Sequence, residues 1–265
     1  MGRLTIADIE LHYEEAGSGE AIVFSHGLLF DTRMFESQIE ALRDRYRCIA
    51  YDHRGQGRSA VPDDRSISID TLTEDAAALI EGLGAGPCHF VGLSMGGFVG
   101  MRLAARRPDL VRSLILLSTS ADEESAENLR GYRLLNVVAQ TLGPAVVARR
   151  VMPIMFGPEY LQDATRADDR RRWRRVIGGN RRSISKAVRG VLERESCSAE
   201  LGRIQAPTLI VAAESDAATP PEKSERIHRA LPDSQLVRIP HCGHMSTVER
   251  PEVVNQTIAR FLASL

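Results

Sequence analysis

The sequence has few cysteines, and none of them is placed for metal binding or redox chemistry. The 265-residue chain contains Cys48, Cys88, Cys197 and Cys242. None forms a Cys-x-x-Cys pair, and none has zinc-ligand spacing with a histidine. Four cysteines in a chain of this length do not form a disulfide scaffold, so we expect reduced thiols and a cytoplasmic location. Cys48 and Cys88 lie in apolar runs and are predicted to be buried.

Long apolar runs and a surplus of charge are also absent. No stretch approaches the roughly 20 apolar residues of a membrane-spanning helix. The N-terminal segment MGRLTIADIELHYEEAG alternates apolar and charged residues, unlike a signal peptide. The formal net charge is −1, which predicts no binding to nucleic acid or to an anionic membrane. The glycines lack the dinucleotide-binding spacing, and nothing indicates a metal, nucleotide or flavin, so we expect no cofactor.

What the sequence does contain is an alternation of strand and helix patterns. Strand-like apolar runs, each followed by a loop, occupy 21–27, 48–55, 88–94, 114–119, 208–216 and 235–243. Helix-patterned segments occupy 33–45, 70–83, 95–106, 221–230 and 251–263. This alternation predicts an α/β fold with a mostly parallel sheet covered by helices on both faces. Segments 3–9 and 10–15 add an antiparallel edge, which makes eight strands.

One long segment, residues 121–203, interrupts this alternation because it contains only helical patterning. We predict that it is a helical cap inserted into a core domain formed by residues 1–120 and 204–265. Its expected position is over the carboxyl-terminal edge of the sheet, where open α/β sheets bind ligands.

The predicted cap is also basic. It contains 16 Lys and Arg against 11 Asp and Glu, a net charge of +5, which leaves −6 on the rest of the chain. The densest part is RRRWRRVIGGNRR at 170–182. We favour a solvated helix face whose arginine stems pack on neighbours. A basic lip that selects anionic substrates is the alternative, and a patch for nucleic acid or membrane is a third interpretation.

The motif GLSMGG at residues 92–97 predicts a nucleophile. A strand, then G-x-S-x-G, then a helix forms the nucleophile elbow, in which the serine stands on a sharp turn with its hydroxyl exposed. We expect Gly92 and Gly96 to be required because neighbouring chain passes too close for a side chain. Ser94 then lies at a helix N-terminus, which favours negative charge.

A serine hydroxyl needs an adjacent base, and a histidine oriented by a carboxylate supplies it. The expected chain order is serine, acid, histidine. His244, on the loop after the last strand, is the predicted base, and His241 is the alternative. Asp216, at the end of the strand TLIVAAESD, is the predicted acid, with Asp122 as the alternative. We expect the hydroxyl to touch the imidazole and the imidazole to touch the carboxylate.

Two backbone N–H groups are needed to bind the oxyanion of the reaction intermediate. Met95, directly after the nucleophile, is predicted to supply one and Leu28 the other, with Leu29 as the alternative to Leu28. The predicted substrate-binding side chains are Leu29, Met155, Phe156 and Trp173, of which the last three serve equally well as core of the cap.

Five stretches give the chain its likeness to a known family: SHG at 25–27, DHRGQGRS at 52–59, GLSMGG, ESDAATPP at 214–221 and HCGHMSTVERPE at 241–252. In this order and spacing the chain resembles the α/β-hydrolase superfamily over essentially its whole length. Serine at position 94 differs from the aspartate of the haloalkane dehalogenase and epoxide hydrolase branches. The chain most resembles the 3-oxoadipate enol-lactonases and neighbouring esterases. That branch usually has Asn-Ser or a similar pair where this chain has His26-Gly27.

The resemblance and the residues together predict a serine hydrolase that cleaves small-molecule carboxylic esters or lactones through an acyl-enzyme. An enol-lactonase and a cofactor-free haloperoxidase or perhydrolase are alternatives that share the same residues. A small-molecule receptor on the same fold is the alternative from a different class. The sequence leaves the substrate and the oligomeric state open.

Overall fold

The structure is a computed structural model that describes residues 1–265. The strands are β1 (Gly2–Ile6), β2 (Ile9–Ala16), β3 (Ala21–Ser25), β4 (Arg47–Tyr51), β5 (Cys88–Leu93), β6 (Val111–Leu117), β7 (Thr208–Ala213) and β8 (Gln235–Ile239). The helices are α1 (Glu36–Leu42), α2 (Ile69–Gly82), α3 (Met95–Arg106), α4 (Ala126–Leu142), α5 (Pro144–Met155), α6 (Pro158–Gln162), α7 (Ala167–Gly178), α8 (Ile184–Leu192), α9 (Pro221–Ala230), α10 (Ser246–Glu249) and α11 (Pro251–Ala263).

All eight strands join one sheet in the order β1-β2-β4-β3-β5-β6-β7-β8. The hairpin of β1 and β2 is antiparallel and pairs antiparallel with β4, whereas every pairing from β4 to β8 is parallel. The prediction of an α/β fold with an eight-stranded, mostly parallel sheet is therefore confirmed. Because parallel strands share one direction, their carboxyl ends and the loops after them meet at one edge of the sheet.

The central strands are buried on both faces, which explains why they read as continuous apolar runs. Every residue of β3, β5 and β7 is buried. Side chains alternate between the two faces: Val23 belongs to the core that includes α2, α3 and α9, and Ile22 and Phe24 belong to the core that includes α1 and α11. Helices thus cover both faces of the sheet, and in open α/β sheets ligands bind at the carboxyl-terminal edge.

Residues 121–203, between β6 and β7, contain α4 to α8 and no strand. This inserted helical segment is fastened to the loops at the carboxyl-terminal edge. The Met245 N–H donates to the Met155 carbonyl at 3.0 Å, and the Asn180 amide donates to the Leu29 carbonyl at 2.9 Å. The segment therefore covers the edge at which the candidate side chains gather.

All four cysteines are buried and none is in a disulfide. Among the helices, none combines the length and the apolar character needed to cross a membrane.

Candidate active site

Ser94 occupies a strained turn between β5 and α3. Its φ is 53° and its ψ is −112°, a left-handed region that a residue with a side chain rarely adopts. A Cβ atom on Gly92 would lie 2.3 Å from the Gly96 carbonyl oxygen, and one on Gly96 would lie 1.9 Å from that of Ser25. Both glycines are therefore required by close approach of the backbone, and together they allow the elbow to turn.

Two backbone N–H groups near this serine have no partner within the protein. Met95 is the first residue of α3, where an N–H lacks an acceptor in its own helix. The N–H of Leu28 makes no hydrogen bond either, whereas that of Leu29 donates to the Gln56 side chain at 3.2 Å. A Cβ atom on Gly27, next to Leu28, would lie 3.6 Å from the Ser94 Cβ. The unpaired donors are thus those of Leu28 and Met95, the pair preferred from the sequence over Leu29.

Gln56, which the sequence analysis did not single out, connects the loop of Leu28 and Leu29 to Met95 at the start of α3. Its Oε1 accepts from Leu29, and its Nε2 lies 3.7 Å from the Met95 sulfur. Gln56 is fully buried in the turn of the DHRGQGRS motif. The sequence did contain a signal for this role. Gln56 lies between two glycines in a loop at this edge of the sheet, where a polar side chain can form hydrogen bonds with nearby backbone groups.

His244 and Asp216 form a buried pair. The His244 Nδ1 lies 2.8 Å from Asp216 Oδ2 and 3.0 Å from Oδ1. The carboxylate also accepts the N–H groups of Ala218 at 2.8 Å and Thr219 at 2.9 Å. Because Asp216 accepts a hydrogen bond from the Nδ1–H group, the proton stays on Nδ1 and the imidazole presents its other nitrogen, Nε2, as an acceptor.

Ser94 and His244 line the same cavity, between the sheet edge and the inserted helical segment. The ring of His244 contacts Asp216 and Thr219, and no hydrogen bond joins its Nε2 to the Ser94 hydroxyl. The structure therefore brings the three predicted residues together and forms the imidazole–carboxylate contact. The expected hydroxyl–imidazole hydrogen bond is absent from it.

Two further residues hold this pair, and sequence reasoning missed both. The Thr219 hydroxyl donates to Asp216 Oδ2 at 2.8 Å and lies 3.3 Å from His244 Nδ1. Glu249 Oε2 accepts the N–H of Gly243 at 2.9 Å and that of Gly157 at 3.1 Å, so it supports the turn that carries His244. Burial raises the pKa of Glu249 from 4.5 to about 6, against the effect of these two N–H donors.

The alternative acid and base lie elsewhere. Asp122 pairs with Lys223 at 2.8 Å and with Arg226 at 2.7 Å, and these cations, opposing its burial, lower its pKa. His241 is exposed and lies 3.2 Å from Glu159. Neither lines the cavity of Ser94.

His26 and His53, which precede the serine in the chain, support the loops beneath it. His26 Nε2 accepts the His53 N–H at 3.0 Å, and His53 Nε2 lies 2.9 Å from the Ser25 hydroxyl. Burial lowers the pKa of both imidazoles, so they are neutral at neutral pH. The pair His26-Gly27 thus belongs to the packing of the first loop.

The cavity beside Ser94 is about 130 Å³ in volume, and 16 of its 23 lining residues are hydrophobic. Of the four side chains predicted to bind substrate, Leu29 and Met155 line it. Phe156 and Trp173 do not, which corrects the prediction for these two. Both are buried in the core, with their rings 6.4 Å and 5.8 Å from that of Phe30. Their hydrophobicity could not distinguish a pocket wall from a core position.

The arginines of segment 170–182 lie outside this cavity. Arg172 pairs with Glu36 at 2.6 Å, and Arg181 donates to the carbonyl oxygens of Gly57 and Ser59. Of the Asp, Glu, Lys and Arg residues, only Glu124 and Arg194 line the cavity. No group of three His, Cys, Asp or Glu side chains is arranged to hold a metal ion.

The parallel sheet, the elbow at its carboxyl-terminal edge and the histidine loop after the last strand define the α/β hydrolase class of proteins. Comparison with known proteins agrees with this class. A family profile described as "alpha/beta hydrolase fold" matches residues 20–251. A putative carbamate hydrolase of Variovorax paradoxus (strain S110) is 33% identical over 261 residues, which are 96% of each chain.

Solved structures give the same result. A thermophilic esterase from Thermogutta terrifontis, solved with malate bound, is 31% identical with a TM-score of 0.91, and the match covers 100% of this chain and 99% of the esterase. The enol-lactonase from Burkholderia xenovorans LB400 is 27% identical with a TM-score of 0.92, covering 99% of this chain and 100% of the lactonase. The chain belongs to the α/β hydrolase family and is a hydrolase.

Proposed function

We propose that this protein hydrolyses carboxylic ester or lactone bonds, with Ser94 as nucleophile, His244 as general base and acid, and Asp216 as the residue that orients His244. The observation that carries the proposal is the meeting of three features at one cavity. These are a serine on a strained elbow, a histidine held by a buried carboxylate 2.8 Å away, and two unpaired N–H groups beside the serine.

In this mechanism the Ser94 oxygen bonds to the substrate carbonyl carbon as its proton passes to His244 Nε2. The carbonyl oxygen becomes an oxyanion, which accepts hydrogen bonds from the N–H groups of Leu28 and Met95. His244 then gives its proton to the leaving alkoxide oxygen, which breaks the ester bond and leaves an acyl-enzyme. A water molecule, deprotonated by His244, then attacks the acyl carbon. His244 returns that proton to the Ser94 oxygen as the acyl–serine bond breaks, which releases the acid and restores Ser94.

The absent hydrogen bond between Ser94 and His244 is compatible with these roles. Catalytic hydrogen bonds are often long or poorly aligned without substrate and tighten when it binds. Within the proposal, residues 121–203 act as a cap over a core of residues 1–120 and 204–265. The likeness to a known esterase and a known enol-lactonase supports a carbonyl substrate.

Replacing the nucleophile tests the proposal. We expect Ser94→Ala to lose hydrolysis of short p-nitrophenyl esters by at least about 10³-fold, since removal of a triad member leaves little beyond binding and oxyanion stabilisation. A fluorophosphonate should label the native protein at Ser94 and leave the variant unlabelled, as read by intact-mass spectrometry.

Ser118→Ala is the matched control. Ser118 directly follows the adjacent strand β6, is buried and also has a positive φ of 45°, but it does not line the cavity. Labelling that persists in Ser94→Ala, or that is lost in Ser118→Ala, would contradict the proposal. Absence of turnover on a panel of esters, lactones, amides and a peracid assay, together with a ligand-dependent rise in melting temperature, would indicate a receptor instead.

A further inference from the structure

We infer that the cavity beside Ser94 selects neutral esters that carry one compact apolar group of about the size of an aromatic ring, and that the Arg194–Glu124 ion pair excludes substrates with a carboxylate at that end. This inference rests on the proposed function, because it names the substrate class of the same site. Three features of the cavity support it: its size, the chemistry of its walls and the pairing of its charges.

The volume of the cavity sets the size of the group. An apolar cavity of about 150 Å³ in an engineered protein stays dry and binds benzene. The cavity here is about 130 Å³. Its walls include Leu135 and Ala139 from α4, Val147 and Val151 from α5, and Val188 from α8. A phenyl group or a short branched alkyl group therefore matches it in size.

The polar lining residues other than Ser94, Thr219 and His244 include a neutralised ion pair. Arg194 Nη1 lies 3.1 Å from Glu124 Oε2, with 4% and 11% of the two side chains exposed. Arg194 also donates to the carbonyl oxygens of Asp122 and Val191, and its guanidinium lies 4.3 Å from the ring centre of Phe98. Its charge is thus matched and its position is fixed by contacts on three sides.

An additional carboxylate in this cavity would find no unpaired Lys or Arg side chain, because Arg194 is the only one that lines it. Burying a charge is costly unless an opposite charge compensates it, and the charge of Arg194 is already balanced by Glu124. The unbalanced positive charge of the helical segment lies outside the cavity, in the arginines of α7 and of the turn after it. The cavity therefore accepts uncharged groups, and anionic esters are excluded.

The size of the group is tested by filling the cavity. Ala139 lies on α4, is buried and lines the cavity, whereas Val137 on the same helix is 54% exposed. We expect Ala139→Leu to lower kcat/KM for benzyl acetate and methyl phenylacetate by about tenfold or more, the effect of extra methylene groups in a filled pocket. Methyl acetate, which does not fill the cavity, should lose much less than these two esters, and Val137→Leu should change none of the values.

The charge selectivity is tested on the native protein with methyl hexanoate and monomethyl glutarate, which differ mainly in a terminal carboxylate. We expect kcat/KM to be at least about tenfold higher for the neutral ester, because the carboxylate loses its hydration without gaining a partner. Glu124→Gln leaves Arg194 with an unbalanced charge and should raise the ratio of monomethyl glutarate to methyl hexanoate by about tenfold. Glu123→Gln, an exposed neighbour with the same change in charge, should leave this ratio unchanged.

The outcomes separate this inference from the proposed function. Equal use of the two esters by the native protein would overturn the inference, and so would equal losses on methyl acetate and benzyl acetate in a folded Ala139→Leu. If thermal unfolding shows that Glu124→Gln does not fold, the comparison of methyl hexanoate with monomethyl glutarate on the native protein still tests the charge selectivity. Absence of Ser94-dependent hydrolysis of every ester, methyl acetate included, would overturn the proposed function itself.

Discussion

At the scale of single residues, the groups proposed for the chemistry depend on neighbours that do none of it. Asp216 accepts hydrogen bonds from two backbone N–H groups and the Thr219 hydroxyl, and the carbonyl of Ser94 accepts from the Thr119 hydroxyl at 2.8 Å. These contacts fix the carboxylate and the elbow before a substrate arrives. Such fixed orientation is what a general base requires, because a small displacement from the productive geometry is costly in rate.

Thr219→Val tests the support of the acid. The substitution keeps the shape of the side chain but removes the hydroxyl that donates to Asp216 Oδ2. A hydrogen bond to a charged group contributes about 1.5–3 kcal/mol, so we expect kcat for a short ester to fall by about tenfold or more while KM changes little. Steady-state kinetics measures both values. Thr257→Val, at a half-buried position of α11 outside the cavity lining, is the control, and equal kcat values for Thr219→Val and the native protein would contradict the role.

Glu249 gives the protein a specific dependence of stability on pH. Its pKa is raised to about 6 in the folded protein from 4.5, so between these values the folded state holds a proton that the unfolded chain has lost. The free energy of unfolding should therefore fall as pH rises from about 4.5 to about 6, by about 2 kcal/mol from this group.

Glu249→Gln isolates this contribution, since the amide oxygen can still accept from Gly243 and Gly157 but does not ionise. Urea unfolding at half-unit steps of pH measures the free energy for both proteins. We expect the variant to gain stability relative to the native protein as pH rises through this interval. A difference between the two that stays constant with pH would show that Glu249 does not titrate there.

At the scale of elements, close backbone contacts join the inserted helical segment to a loop of the rest of the chain. Gly190 in α8 faces the chain at Ile67, where an added Cβ would lie 1.7 Å from the carbonyl oxygen. One turn earlier, the Ile67 N–H donates to the Lys186 carbonyl at 3.1 Å. Helix α8 therefore packs directly on the loop before α2, and it carries Ile184 and Val191 of the cavity wall with it.

Two glycine substitutions test this packing and should act in opposite directions. Gly190→Ala should lower the free energy of unfolding by about 1–3 kcal/mol, because the added methyl group forces α8 away from the Ile67 carbonyl. Gly131→Ala, in the exposed middle of α4 with no atom near its added Cβ, should raise it by about 0.5–1 kcal/mol because alanine is the better helix former. Chemical unfolding measures both, and a neutral or stabilising Gly190→Ala would contradict the close contact.

At the scale of the whole molecule, the order of patterns in the chain predicted most of the architecture. The six parallel strands and the helices between them were found where apolar runs and helix patterns alternate, because strands buried on both faces must be apolar throughout. Helices α3, α9 and α11 begin and end where predicted, at 95–106, 221–230 and 251–263. The crossed order of β3 and β4 in the sheet is a property of the tertiary structure, which no local pattern reports.

Sequence alone determined which residues are candidates for the chemistry, because the elbow, the strand ends and the loop after β8 are local features with local signals. Only the tertiary structure decided which apolar residues face the cavity and which, like Phe156 and Trp173, face the core. It also placed the arginines of 170–182 outside the cavity, and it brought Thr219 and Glu249 to the histidine and its loop. The physical reason is that hydrophobicity and charge are carried by each residue, whereas direction, burial and pairing arise only when distant segments pack together.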